Sequence, residues 1–118
     1  MALDRGKLTN VITLGVGQTV AGVTVASNKK VYVKSIMAHA PYAGIASGTA
    51  QVYMVPNSGG SAGTAATSNQ VFNVDVYAGE TVLIEPSYPI VIDSTGDTVQ
   101  VGTGLTTINF LITGDKEA

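Results

Sequence analysis

The sequence predicts an all-β protein, an antiparallel β-sandwich or jelly roll of about eight strands, and three observations carry that reading. Short apolar runs, each about one strand long, recur at spacings of roughly 8 to 12 residues. The residues between them are turn formers, such as Ala78-Gly79, Ser87-Tyr88 and Ser94 to Asp97. No window of useful length has the period of an amphipathic helix. The densest part is Val71 to Phe110, where VFNVDVY, ETVLIEP, PIVID, TVQVG and TINFLIT follow one another.

Taken in order, residues 1–10 (MALDRGKLTN) are polar and read as an N-terminal arm. Fully extended, they reach roughly 33 Å, enough to touch a neighbouring subunit. Residues 11–114 read as one sandwich domain and 115–118 as a charged, exposed tail. Val11 to Leu14 is a short strand that stops at Gly15-Val16-Gly17, and Gln18 to Ala26 is a Thr- and Val-rich strand. Val31 to Ala40 changes phase along its length. Val31 and Val33 share one face, whereas Ile36, Ala38 and Ala40 lie on the other. A bulge near Lys34-Ser35 would put both sets inward; the competing reading is a strand with both faces covered, one by a partner.

Pro41 to Gly48 reads as loop, and Thr49 to Val55 as a strand closed by Pro56. NSGGSAGTAATSN, residues 57–69, has no core formers and reads as a flexible surface loop. Phe72, Val74 and Val76 then alternate against Asn73, Asp75 and Tyr77. Val82 and Ile84 continue the inward set, Pro86 and Pro89 mark a corner or edge, and Ile90 and Ile92 follow. Val99, Val101, Ile108, Phe110 and Ile112 complete it.

The composition excludes several classes of function. The 118 residues suffice for one core. There is no cysteine, hence no disulfide or thiolate metal site, and a single histidine, His39. Net charge is −2 with 12% charged residues, so no basic footprint for nucleic acid exists. Mean hydropathy is nevertheless +0.30. Ordinary soluble domains carry about 25% charged residues, so much of this surface is expected to face something other than water. No apolar run approaches the roughly 20 residues of a spanning helix, so no membrane partner is expected, and no signal-peptide core is evident. Contact with other protein chains is the remaining use of that surface.

No catalytic constellation emerges, and no cofactor or metal is expected. Gly15-Val16-Gly17 lacks the following helix of a nucleotide-binding turn, and Ser58 to Gly63 lacks the Lys-Ser/Thr ending of a phosphate loop. Asp75 and Glu85 leave outward faces of neighbouring candidate strands and could approach each other, although two solvated charges is the plainer reading. Asp93 and Asp97 flank a turn, where Asp serves the backbone more often than calcium. His39 has no evident nucleophile or orienting group. Tyr32, Tyr42, Tyr53, Tyr77 and Tyr88 could form a sugar-stacking platform, though tyrosine is common on strands and enriched at interfaces. The candidate interface residues are Arg5 and Lys7 in the arm, Asn57 and Asn69 in the loop, and Tyr77 and Tyr88.

Three segments, KKVYVKSIMAHAP (29–41), VYMVPNSGG (52–60) and AGETVLIEPSYPIVIDSTGDTVQV (78–101), occur in an order that resembles a family of small β-sandwich virion proteins of tailed bacteriophages. The resemblance implies a non-enzymatic structural protein made in the bacterial cytoplasm and carried in the virion, foremost a capsid decoration (cement) protein on the head. Its implied partners are the major capsid protein or other virion proteins and further copies of itself, with closed cyclic symmetry such as a trimer. A tail or tail-fibre-associated protein of the same fold is the alternative, and a carbohydrate-binding sandwich module is a second. The arm and the long small-residue loop depart from the family pattern, so attachment does not carry over to them.

Overall fold

In the computed structural model, the described residues are 3–15, 17–27, 29–41, 48–104 and 107–117. Met1 of the arm, Val16, Asn28, Ala118 and most of the loop expected at 41–48, with Tyr42 and Ser47, lie outside them. The described residues form ten strands: β1 (Leu3–Lys7), β2 (Ile12–Leu14), β3 (Thr19–Thr24), β4 (Val31–His39), β5 (Gly48–Val55), β6 (Gln70–Val76), β7 (Thr81–Ile84), β8 (Ile90–Ile92), β9 (Thr98–Thr103) and β10 (Ile108–Glu117). The described residues contain one 3₁₀ turn, Thr67–Asn69, and no α-helix, hence no helix able to cross a membrane.

All pairings are antiparallel and build two sheets. In sheet A, β10 and β4 lie side by side at the centre. β1 and β2 share the outer edge of β10, and β7 and β8 share the outer edge of β4. Sheet B has the order β3-β9-β5-β6. Each sheet is thus four columns wide, which reconciles ten strands with the eight that spacing suggests. The column pairings are nested: β1/β2 with β10, β3 with β9, β4 with β7/β8, and β5 with β6. The chain is a two-stranded ribbon folded over on itself, joined across the fold by β4–β10 and β5–β9. That is the connectivity of a jelly roll.

The core lies between the sheets and follows the alternation of the strands. Val33, Ile36, Ala38, Ile108, Phe110 and Ile112 of sheet A meet Ala50, Val52, Val76, Val99 and Val101 of sheet B, all fully buried. The phase change in β4 is a bulge, as expected. Ser35 pairs with Thr113 and Val33 with Gly114, so Lys34 is the extra residue and both apolar sets face inward. Gly114 is required there, because a Cβ on it would collide with the carbonyl of Tyr32 and crowd the amide of Lys34.

The bulge belongs to a larger discontinuity. The shift at Thr113/Gly114, Lys34, and the break between β7 and β8 with Pro86 and Pro89 fall on one transverse line across sheet A, and the gap between β1 and β2 lies next to it, opposite Leu111 and Ile112. Proline supplies no ladder donor, which suits it to that break.

Three expectations are corrected. Residues 3–7 of the arm are an edge strand, paired residue for residue with Thr113 to Glu117. All five are exposed, so backbone pairing rather than a buried face places them there. The expected tail at 115–118 is strand as far as Glu117, and Asp115 is buried because β1 and β4 flank it. Residues 57–69 carry more fixed structure than a flexible loop. Ser58 and Ser61 exchange backbone hydrogen bonds around Gly59 and Gly60, both at positive φ as a tight two-residue hairpin turn demands.

Candidate interaction surface

The two outer faces of the sandwich differ. On sheet B, register places Gln51, Tyr53 and Val55 beside Gly102, Gln100 and Thr98. This face is closed by the chain itself. Gln100 Nε2 donates to the Gly63 carbonyl at 3.0 Å and to Thr98 Oγ1 at 3.0 Å, and Tyr53 hydroxyl donates to Gln51 Oε1 at 3.1 Å. The 57–69 segment is strapped down at its start by Asp97, whose Oδ1 accepts from the backbone and side-chain amides of Asn57 at 2.8 and 2.9 Å. Val55, Thr98 and Gln100 are buried beneath it although they belong to the outer face.

Among the described residues sheet A has no such cover, and its outer face carries an apolar row. Leu111, Met37 and Leu83 are direct cross-strand partners on β10, β4 and β7. They alternate with the inward trio Ile112, Ile36 and Ile84 and so point away from the core. Val11 extends the row at the β2 edge, where it lines a groove of about 210 Å³ with Met37, Leu111, His39 and Asn109. Met37 is 41% exposed, Leu83 50% and Val11 61%.

Polar pairs flank the row on both sides. Thr13 Oγ1 donates to Asn109 Oδ1 at 2.8 Å, and His39 Nδ1 lies 2.8 Å from Thr81 Oγ1. On the other side Ser35 and Thr113 share a hydroxyl hydrogen bond at 2.5 Å. These groups already hold partners, so covering the row would strand few polar atoms. An apolar centre with a satisfied polar rim is the anatomy of a protein interface.

One row beyond lies the charged part of this face. Asp115 pairs with Arg5 on one side and Tyr32 on the other. Its carboxylate is 2.9 Å from Lys34 Nζ and 3.7 Å from Arg5 Nε. The bulge therefore does two things: it restores the core phase and supplies the cation for a buried carboxylate.

The residues proposed from sequence are not brought together. Arg5 sits over Asp115, and Lys7 donates to Asn10 Oδ1 at 3.3 Å. Asn57 anchors the strap on sheet B, and Asn69 Nδ2 donates to the Thr64 carbonyl at its far end. Tyr77 is exposed in the β6–β7 turn, where its amide donates to Glu80 Oε1 at 3.2 Å. Tyr88 is 85% exposed between Pro86 and Pro89. Tyr32 and Tyr53 lie on different sheets, so the described tyrosines form no common platform. Asp75 and Glu85 do not approach as neighbours, because β6 and β7 belong to different sheets. Asp97 is occupied by Asn57, and no group of three or more metal-ligating side chains occurs among the described residues. Gly15 leads through a turn into β3, a strand.

The apolar row itself escapes a reading by alternation, since its members are far apart in sequence. Its signal is nonetheless present: VLI at 82–84, FLI at 110–112 and IMA at 36–38 are unbroken apolar triplets where alternation would put a polar residue at the centre.

No protein-family model matches the chain, and no curated protein matches it. It is similar in structure to a chain in a solved structure of the infectious bursal disease virus Gt strain, at 10% identity and TM-score 0.42, over 98% of this chain and 32% of that one. A chain in the structure of the Gx strain gives 10% identity and TM-score 0.37, over 98% and 30%. The chain spans about a third of the length of the chains it matches. Likenesses this distant bear on neither function nor partner.

Proposed function

We propose that the protein is a non-enzymatic structural component of a virion, and specifically a decoration protein that stabilises a tailed-phage head by bridging neighbouring shell subunits. The observation that supports this reading most is the apolar row Val11, Leu111, Met37 and Leu83, left uncovered by the described residues on the outer face of sheet A, with a satisfied polar rim. Such a face suits docking onto a flat protein surface, and repetition over a symmetric shell would turn a modest contact per copy into high avidity. The ordered resemblance of residues 29–41, 52–60 and 78–101 to phage virion β-sandwiches supplies the biological context. Fold by itself assigns no function, and jelly rolls serve many.

The test is re-addition of purified protein to particles lacking it, comparing wild type with the double variant Met37→Glu/Leu83→Glu. Both sites are surface positions, so stability should stay within about 0.5 kcal/mol of wild type. Occupancy should fall to background; full occupancy by the variant would remove sheet A as the docking face. Copy number separates the alternatives. On the order of hundreds of copies per particle supports the head, whereas about a dozen or fewer points to the tail-associated reading.

A further inference from the structure

Sandwich edges invite pairing with other chains unless they are short, interrupted or charged. Most edges of this molecule are defended in one of those ways. β2, β7 and β8 are only three or four residues long, and the β7/β8 edge is cut by Pro86 and Pro89. β1 has five residues, but three of them, Asp4, Arg5 and Lys7, are charged. β3 is split by a register shift at Ala21/Val23. The exception is β6. Its own register shift falls at its start, at Val71, and from Phe72 to Val76 it pairs without interruption on β5, carries Asp75 as its only charge, contains no proline, and has no strand on its other side among the described residues.

We propose that β6 is the site of self-association, pairing antiparallel with β6 of a second copy across a two-fold axis, so that two four-stranded B sheets become one of eight strands. The register follows from which faces must match. Phe72, Val74 and Val76 face inward, with Phe72 and Val74 only partly covered, while Asn73 and Asp75 face out and are exposed. Keeping inward beside inward leaves registers centred on residue 73, 74 or 75. Centring on Asp75 opposes two carboxylates, which is unfavourable. Centring on Asn73 opposes Phe72 to Val74 but runs Val76 past the register shift at Val71, where Gln70 shares the outer face with Tyr53, so Val76 has no apolar partner and Asp75 meets Val71. Centring on Val74 opposes Val74 to Val74, Phe72 to Val76, and Asn73 to Asp75, so the whole apolar set closes on itself and each carboxylate meets an amide. The occupant is thus a second copy, because this edge is complementary to itself. The surface is separate from the sheet A row, so either can fail without the other.

The chain has no cysteine, which makes the test clean. Val74→Cys in the full chain should cross-link to a covalent dimer under mild oxidation, in at least tenfold greater yield than Leu83→Cys on the other sheet. Sedimentation of wild type should show a concentration-dependent dimer. Asn73→Glu, at an exposed position, would oppose Asp75 twice across the axis and should weaken that dimer tenfold or more with unchanged circular dichroism. Asn73→Glu combined with Asp75→Lys should restore it, a rescue that only the Val74-centred register provides. Wild type that remains monomeric at every concentration, a Val74→Cys yield no better than Leu83→Cys, or an Asn73→Glu variant that dimerises as wild type would each overturn the proposal.

Discussion

Gly114→Ala tests the account of sheet A most directly. The residue lies in the bulge, where a Cβ would strike the Tyr32 carbonyl oxygen and sit 3.0 Å from the Tyr32 carbonyl carbon and 3.1 Å from the Lys34 amide nitrogen. Every colliding atom is backbone, so no rotamer change relieves the clash. β10 and β4 must move apart at the pair that joins the two halves of the sheet. Overpacking generally costs about 1–3 kcal/mol, and a backbone-on-backbone collision belongs at the upper end, about 3 kcal/mol. Unfolding entropy of about 2.1 cal/mol/K per residue gives roughly 0.25 kcal/mol/K for this chain length, so Tm should fall by about 12 °C. Gly59→Ala is the control, since it also gains a methyl group but meets nothing within 4 Å. Its positive φ alone costs about 1–2 kcal/mol, or about 4–8 °C. Thermal unfolding followed by circular dichroism, with urea titration as a second measure, compares the two. A Gly114→Ala protein that melts within 4 °C of wild type would refute the bulge geometry.

Three further outcomes follow from particular contacts. Lys34→Met should destabilise more than Asp115→Asn, by about 1–2 kcal/mol against less than 1 kcal/mol, because the first leaves a buried carboxylate short of its nearer cation whereas the second releases two exposed cations to water; urea midpoints decide the order. Asp97→Ala should remove both Asn57 hydrogen bonds, cost about 1–2 kcal/mol, and open the 57–69 strap to limited proteolysis at Gly59-Gly60, read by mass spectrometry of the fragments. Deleting residues 1–7 should leave the core folded, since β1 buries no side chain, and unchanged near-ultraviolet circular dichroism would confirm this.

How much of this was legible in the sequence depends on whether a feature lives in one strand or between strands. The strands β2 to β10 announce themselves through apolar runs, and the bulge through the change from Val31 and Val33 to Ile36 and Ala38. Both are local signals. LDRGK escapes because a strand exposed on both faces has no hydrophobic period, and GDKE because its burial depends on neighbours 80 and more residues away. The small residues at 57–69 mark a loop correctly, yet the strap forms only through Asp97 and Gln100, which composition cannot point to. The apolar row of sheet A shows the same division. Each apolar triplet is visible, but only topology lines up Leu83, Met37 and Leu111. The candidates Arg5, Lys7, Asn57, Asn69, Tyr77 and Tyr88 come from separate segments, and no strand pairing joins those segments to one another.

The nested pairing of the ribbon also sets the order in which the molecule can assemble. Only β5 with β6 closes a short stretch of chain, and each pairing outward of it, β4 with β7/β8, β3 with β9 and then β1/β2 with β10, closes a loop that the one before has already shortened. Loop-closure entropy then falls step by step instead of being met at once, which makes zipping from the β5–β6 end the low-barrier route. Mutations at Val52 and Phe72 should slow folding, while mutations at Ile12 should mainly speed unfolding. The outermost closure, which brings Asp115 between Arg5 and Lys34, would be made last and released first.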